Sequence, residues 1–181
     1  MGSSVPALAL EAGGTWSYSA APSPTCTGTQ CGTPDVTLHS VSCPSAGNCS
    51  AVGHYWESFE SNDNFDGLLL NDVSGTWQDS VAALPGGPGP YPDVLSVSCS
   101  SAGNCSAVGS YTACSNVSFT CSDQGLLLDE VSGTWQTGIE ALLPAAAATI
   151  PAVSLTTVSC ASAGNCSAVG VARHEHGTTL S

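Results

Sequence analysis

Positive charge is almost missing from this sequence. Lysine does not occur and Arg173 is the only arginine among 181 residues, whereas 14 carboxylates bring the formal net charge to −13. A chain of this composition cannot neutralise phosphate groups, so we expect neither nucleic acid nor an anionic membrane surface as a partner. Long apolar runs are missing too. One apolar segment, residues 144–153, is interrupted by proline and too short to cross a bilayer, so membrane insertion is not expected.

The motifs of common catalytic sites are also missing. The sequence has no G-x-S-x-G nucleophile elbow, no P-loop and no C-x2-C zinc pair. Carboxylates such as Glu57 and Asp63 suit glycosidase chemistry, but nothing in the sequence fixes their separation. These absences predict a protein that is not an enzyme, with no catalytic residues and no required cofactor.

Cysteine, in contrast, is abundant. The ten cysteines fall into five pairs, each close in the sequence, and three of these pairs share the spacing C-x5-C. Each pair is typical of a local disulfide that staples a turn, and such bonds indicate an oxidising compartment. We therefore expect a secreted, extracellular or cell-surface protein. The predicted disulfides are Cys26–Cys31, Cys43–Cys49, Cys99–Cys105, Cys114–Cys121 and Cys160–Cys166.

One short segment occurs three times in the sequence. "SVSCPSAGNCSAVG" at 40–53 returns as "SVSCSSAGNCSAVG" at 96–109 and as "TVSCASAGNCSAVG" at 157–170. The first cysteines of the three copies are 56 and 61 residues apart. A second segment, "GLLLNDVSGTWQ" at 67–78, returns as "GLLLDEVSGTWQ" at 125–136. Self-similarity at this period predicts a repeat architecture.

Each repeat contains four short runs with strand character. In the first copy they are residues 38–43, 49–55, 67–73 and 75–84. The turn residues "PSAGN" join the first two runs into a hairpin, which the cysteines close covalently. Four antiparallel strands in a meander describe one blade of a β-propeller, so the predicted fold class is all-β.

The repeated motifs resemble a known family. The pattern L-x-S-V-S-C-x-S-x-x-x-C-x-A-V-G, followed by G-x-L-L and G-T-W, resembles the BNR or Asp-box repeats of β-propellers. Secreted actinobacterial repeat proteins with the signature S-C-x-S-x-x-x-C-x-A-V-G, mostly of unknown function, are similar as well. The resemblance covers nearly the whole chain and implies propeller blades.

The resemblance also implies structural roles for several residues. Glu11, Asp72 and Glu130 match the aspartate of the Asp box, whose turn is structural in the family. By the same resemblance Trp16, Trp77 and Trp135 pack within blades. Sialidases of this class clamp a carboxylate with three arginines, and this chain has one, so sialidase activity is excluded.

The repeats divide the chain into three units of a single repeat domain. Residues 38–84 and 95–143 each form a blade, and residues 155–181 together with 7–18 form an incomplete or composite blade. Three blades do not close a propeller ring, which has four to eight. Three arrangements remain open: a six-bladed ring of two chains, a filament joined through strand edges, or a fragment of a longer propeller. A β-trefoil is the alternative fold.

The variable segments mark the predicted binding face. Residues 54–66, 80–94, 110–124 and 137–154 all connect strands at the same end of a blade. Aromatic rings beside carboxylates suit a glycan or a cell-surface protein, although the same rings would also suit a small core within the loop. The candidate ligand-binding residues are Tyr55, Trp56, Glu57, Phe59, Asp63 and Tyr111.

Metal-binding patterns are sparse. Asn62, Asn64 and Asp66 resemble part of a calcium loop, but Val73 stands where an EF-hand needs glutamate, so only a weaker calcium site stays open. His174 and His176 form a pair without a local third ligand. The other two histidines, His39 and His54, stand alone in the sequence.

Together these features predict a secreted, disulfide-stapled structural module. We expect it to self-assemble with further copies of itself, as a ring or a filament, through its incomplete terminal blades. The alternative is an extracellular propeller that binds a glycan or a protein through the loops 54–66 and 110–124.

Overall fold

The computed structural model describes residues 7–12, 14–24, 34–56, 65–85, 91–114, 121–142 and 152–173. All regular secondary structure in these residues is β-strand, which confirms the predicted all-β class. Within the described part of the chain no helix has the length and apolar character that a membrane crossing requires. The strands are β1 (Ala7–Ala12), β2 (Thr15–Ala20), β3 (Asp35–Ser45), β4 (Asn48–Trp56), β5 (Phe65–Val73), β6 (Thr76–Val81), β7 (Asp93–Ser101), β8 (Asn104–Cys114), β9 (Cys121–Val131), β10 (Thr134–Trp135), β11 (Ile139–Glu140), β12 (Ala152–Ser162) and β13 (Asn165–Arg173).

Neighbouring strands pair antiparallel into four separate sheets. Strands β3 to β6 form the first sheet, a four-stranded meander, as the four runs of the first repeat predict. Strands β7 to β10 form the second sheet in the same order, and β11 also pairs with β9. Strands β1 and β2 form the N-terminal hairpin, and β12 and β13 form the C-terminal hairpin.

The repeated letters S-A-G-N form the tight turn between the first two strands of each repeat. In the first copy, Asn48 Nδ2 donates hydrogen bonds to Ser45 Oγ at 3.1 Å and to the carbonyl oxygen of Ala46 at 3.3 Å. The same two contacts recur at Asn104 and at Asn165. Asparagine is therefore repeated because its side chain satisfies the turn.

The glycine of the repeated "AVG" marks a close approach of two backbones. A Cβ atom on Gly109 would lie 1.9 Å from the carbonyl oxygen of Asp93, on the neighbouring strand β7. The pairing of β7 with β8 shifts register beside this contact, between Val94 and Ser96. Gly53 and Gly170 make the equivalent close contacts. Only glycine fits at these bulges, so the glycine recurs in every copy.

Disulfides close the hairpins as predicted. Cys43–Cys49, Cys99–Cys105 and Cys160–Cys166 staple the first two strands of each repeat. Cys114–Cys121 joins the end of β8 to the start of β9. Four of the five predicted pairs are thereby confirmed, and they indicate an oxidising environment. The fifth predicted pair, Cys26–Cys31, lies outside the described residues.

The sheets stack face to face, in chain order. One core cluster joins the N-terminal hairpin to the first sheet and includes Leu8, Leu68 and Leu70. The other joins the first sheet to the second and includes Leu69 and Leu126. Successive leucines of β5 point to opposite faces of their sheet, and both faces are covered. The repeated "LLL" is thus explained by burial on two sides.

The described residues do not close into a ring or a barrel. The N-terminal and C-terminal hairpins remain two-stranded, and no strand of one pairs with a strand of the other in the described segments. Sheets stacked in chain order agree with consecutive propeller blades. The closed ring of a propeller, and the closed barrel of the alternative β-trefoil, stay predictions.

Candidate functional site

Two histidines and an aspartate meet where the first sheet packs on the second. His39 lies on β3, His54 on β4 and Asp93 at the start of β7. Asp93 Oδ1 lies 2.8 Å from His54 Nδ1 and 3.1 Å from His39 Nε2, and the two ring nitrogens lie 3.3 Å apart. Three potential metal ligands therefore converge on one point.

Aromatic rings flank this cluster. Phe65 meets the ring of His54 edge-on, with 5.2 Å between centroids, and stacks on Trp56 at 6.2 Å. Tyr91 lies 6.3 Å from Phe65 on the other side. Phe65 and Tyr91 are exposed. These rings lie on the face where the variable loops were predicted to form a binding surface.

The backbone beside the cluster is strained. Tyr91 has a φ of 62°, in the left-handed region that bulky residues rarely adopt. The buried Pro92 follows it and leads into Asp93. Such strain persists only where the surrounding packing imposes it, and it often accompanies functional positions.

The predicted ligand-binding residues are not gathered at one exposed site. Tyr55 is buried in the core between the N-terminal hairpin and the first sheet, and Tyr111 is buried in the core between the two large sheets. Trp56 is half-buried, and its Nε1 has no hydrogen-bond partner in the described segments. Glu57, Phe59 and Asp63 lie outside the described residues.

The predicted metal positions are mostly outside the described residues as well. Asn62 and Asn64 of the candidate calcium loop are not described, and neither is the pair His174 and His176. Asp66 is described and lies half-buried on β5, so the calcium prediction is left with one placed residue.

Tyr111 has a partner within the fold. Its hydroxyl donates a hydrogen bond to Glu140 Oε2 at 3.1 Å. Burial, then this bond and the negative charge of Glu140, raises the pKa of Tyr111 to about 12. A neutral, buried phenol that is held by a carboxylate is a packing group joining β8 to β11.

A buried polar network links the first sheet to the second. Glu130 accepts hydrogen bonds from Ser50 Oγ at 3.4 Å and from Asn71 Nδ2 at 2.7 Å. Trp135 Nε1 donates to Asn71 Oδ1 at 3.1 Å. Burial raises the pKa of Glu130 above its usual 4.5, and the bonds from Ser50 and Asn71 oppose the rise. The position that resembles the aspartate of the Asp box thus carries an inter-sheet contact.

The same network is incomplete one repeat earlier. Asp72 and Trp77 occupy the positions of Glu130 and Trp135 in the first sheet. Asp72 Oδ1 and Trp77 Nε1 are buried, yet neither has a hydrogen-bond partner among the described residues. Buried polar atoms without partners are rare, and each calls for an explanation.

An apolar face is uncovered on the C-terminal hairpin. Val52, Val108 and Val169 occupy the same position in the three copies of "SAVG". Val52 and Val108 are 0% and 1% exposed, whereas Val169 is 64% exposed. The first two face a following sheet, and none of the described residues covers the third.

A matching face is uncovered on the first sheet. Val97 and Val158 are 5% and 7% exposed against the preceding sheet, whereas their equivalent Val41 is 59% exposed. Beside Val41, between β1 and β3, runs a groove of about 800 Å³. Its walls include Leu8, Leu10, Trp16, Leu38, Asp72 and Trp77.

Sequence reasoning missed the histidine–aspartate cluster, because its members are far apart in the chain and two of them lie in a different sheet from the third. One signal was present in the repeats. His39 stands where the other copies have Leu95 and Thr156, and Asp93 stands where they have Thr37 and Ser154. A residue that departs from a repeated pattern is a candidate for a role that the repeat itself does not need.

No protein-family model, curated protein or solved structure matches this chain. The resemblance to Asp-box propeller repeats therefore stays a prediction that depends on the sequence motifs.

Proposed function

We propose that this protein is a secreted, non-catalytic structural module that assembles with further copies of itself. In the assembly, the C-terminal hairpin of one copy occupies the groove beside Val41 of the next and pairs with the N-terminal hairpin. The two hairpins then form one four-stranded sheet like the first and second sheets. Unpaired strand edges favour such association, because their backbone groups need hydrogen-bond partners.

The exposure of Val169 is the observation that carries the proposal. Valine is buried at this repeat position wherever a following sheet is present, and Val169 alone is open among the three copies. Docking on the next copy would cover Val169 with the first sheet of that copy, beside its exposed Val41. Burial of a valine side chain contributes about 1.5–3 kcal/mol.

The repeats supply the register of the expected pairing. In the first sheet, β4 pairs with β5 so that Val52 is opposite Leu69. The "SAVG" of β13 aligns with that of β4, and "ALAL" of β1 aligns with "LLLN" of β5. The same register therefore pairs Val169 of one copy with Leu8 of the next.

The unpartnered oxygen of Asp72 supports this arrangement. Glu130, its equivalent, accepts a hydrogen bond from Ser50 of the preceding sheet. In the assembly the corresponding hydroxyl is that of Ser167 on the docked hairpin. A bond from Ser167 would satisfy Asp72 Oδ1, which otherwise costs about 1–3 kcal/mol as a buried acceptor without a donor.

Two copies make the smallest closed assembly. Each chain contributes two complete sheets and two half-sheets, so two chains form six sheets. Six lies within the range of four to eight blades found in propellers. The same pairing without closure would give a filament.

Light scattering of the purified 181-residue chain tests the proposal. We expect about twice the chain mass of 18.0 kDa for a ring, or a larger mass for a filament. The variant Val169→Asp buries a charge in the expected interface, so it should have the mass of one chain. Val131→Asp is the matched control, because Val131 is also an exposed valine, and its equivalent Val73 stays 54% exposed although a sheet follows its own sheet.

The masses of the wild-type protein and of the two variants distinguish the possible outcomes. Loss of assembly in Val169→Asp alone, with the β-type circular dichroism spectrum retained, supports the proposal. The proposal is contradicted if the wild-type protein has the mass of one chain at all concentrations. It is also contradicted if Val169→Asp and Val131→Asp have the same mass.

The aromatic surface favours a second candidate function. Phe65 and Tyr91 are exposed beside Trp56, and aromatic faces of this kind stack on sugar rings. This favours an extracellular glycan-binding role, which is compatible with assembly. Binding to a glycan array that is lost in Tyr91→Ala and kept in Tyr18→Ala, an exposed tyrosine on β2, supports this role. Equal binding by the two variants contradicts it.

A further inference from the structure

We propose that His39, His54 and Asp93 bind one zinc ion at the junction of the first and second sheets. The ligand atoms are His39 Nε2, His54 Nδ1 and Asp93 Oδ1. Imidazole nitrogen and carboxylate oxygen are both common zinc ligands. The site is independent of self-assembly, because all three residues belong to one chain.

The distances suit a single ion. The three ligand atoms are 2.8, 3.1 and 3.3 Å apart. Atoms with these separations can all lie about 2.0–2.1 Å from one ion above their plane, as zinc requires of nitrogen and oxygen ligands. Small adjustments of partly exposed side chains would bring the separations to those of a tetrahedron.

Hydrogen bonds account for at most two of the three close contacts in the cluster. If both imidazoles donate to Asp93 Oδ1, their two N–H groups point at that one oxygen, and the two ring nitrogens are left 3.3 Å apart with no hydrogen bond between them. If only one of the nitrogens carries a proton, the lone pair of the other faces the carboxylate oxygen at close range. No distribution of protons makes all three contacts favourable, whereas a cation at the centre makes all three lone pairs attractive.

The cluster is not part of the repeat. At the next junction, between the second sheet and the C-terminal hairpin, the equivalent residues are Leu95, Ser110 and Ser154. That junction packs with an apolar residue and two hydroxyls in place of the ligands. The sheets can therefore stack without the cluster, so stacking does not account for its composition.

Zinc at this point would join β3 and β4 to β7 and leave one coordination position open. Two of the ligands are histidines on the first sheet, and the third is at the edge of the second. The exposed rings of Phe65 and Tyr91 lie nearby. A water molecule or an oxygen atom of a bound ligand would complete the tetrahedron.

Zinc titration by calorimetry tests the proposal. The chain has four histidines, so we use the background His174→Ala/His176→Ala, which removes the two that are not among the described residues. We expect this variant to bind one zinc per chain. Adding His39→Ala should weaken zinc binding by at least 10-fold to 100-fold. That loss is typical of changes to residues that only hydrogen-bond to a zinc ligand, and His39 is itself a ligand. His39 is partly exposed, so this variant should fold.

Cobalt provides the second readout. Co²⁺ in the same background should give the visible absorption of a four-coordinate ion, and Asp93→Asn should reduce it. Calcium should not compete, since it prefers sites built of oxygen ligands alone. The proposal is overturned if the background variant binds no zinc, or if His39→Ala and Asp93→Asn leave the zinc affinity and the cobalt spectrum unchanged.

Discussion

The backbone nitrogen of Cys99 donates a hydrogen bond to the side-chain oxygen of Ser42 on the neighbouring sheet, at 2.9 Å. Cys160 repeats this contact with Ser98 at 3.0 Å. Ser40 and Ser96 accept equivalent bonds from Val97 and Val158. The serines of the repeated "SVSC" thus join the first strand of the first sheet to that of the second, and the first strand of the second sheet to that of the C-terminal hairpin.

Loss of one such serine should weaken the stack. Ser98→Ala removes the acceptor of the Cys160 amide, so the free energy of unfolding should fall by about 1 kcal/mol. The control is Ser159→Ala, whose hydroxyl has no hydrogen-bond partner in the described segments. The unfolding free energies of Ser98→Ala and Ser159→Ala are measured by chemical denaturation in the Val169→Asp background. In that background no second copy covers β12, so Ser159 gains no partner from another chain. Equal stabilities would contradict a role for these serines.

The glycine at the bulge should tolerate no side chain. In Gly109→Ala the new Cβ would meet the carbonyl oxygen of Asp93 at 1.9 Å, so β7 and β8 would have to separate. We expect a loss of about 3 kcal/mol or more in unfolding free energy. Gly75→Ala is the comparison, because Gly75 has a φ of 84° but open space around its Cβ position. It should cost only about 1 kcal/mol. The reverse order would refute this explanation of the repeated glycine.

The local disulfides should stabilise the hairpins by a limited amount. Each closes a short loop, for which chain entropy gives roughly 2.4 kcal/mol. Replacing Cys43 and Cys49 by serine should therefore lower the unfolding free energy by about 2 kcal/mol without changing the β-type circular dichroism spectrum. Peptide mapping without reduction should find the four described pairs and Cys26–Cys31. Crosslinks between different repeats would contradict the account.

The stability of the protein should carry a pH dependence from Glu130. Its folded pKa is raised, so above pH 4.5 the folded state keeps a proton that the unfolded state releases. Stability should therefore fall as the pH rises from about 4.5 through the raised pKa. Glu130→Gln should flatten this fall, since an amide can still accept from Asn71 and donate to Ser50. Denaturation at several pH values measures it. The control is Asp79→Asn, which removes an exposed carboxylate. If the unfolding free energy of Glu130→Gln changes with pH as steeply as that of Asp79→Asn and of the wild type, the prediction is wrong.

The sequence predicted the elements that are local and repeated. Short-range spacing predicts the strands, the S-A-G-N turns and the disulfides. Each of these features also occurs in two or three copies of the repeat. Contacts between sheets were harder to predict. Ser42 and Cys99 are 57 residues apart in the sequence. Their contact depends on how the two sheets stack and not on the sequence of either strand alone.

The candidate site shows the same limit. His39 and His54 are 15 residues apart and Asp93 follows 39 residues later, so no metal-ligand spacing is visible. A local β-bulge and the packing of two sheets bring them together. Tyr55 and Tyr111 were predicted on a binding face because of their place in variable segments, but alternation along the strand directs both into the core.

Electron microscopy of the wild-type protein tests the central claim most directly, because class averages viewed along the assembly axis show how many sheets surround it. The account predicts rings of six sheets, with a mass of two chains per ring, or filaments built on the same hairpin pairing; both should vanish in Val169→Asp. Single particles of one chain, with the terminal hairpins unpaired at all concentrations, would contradict it.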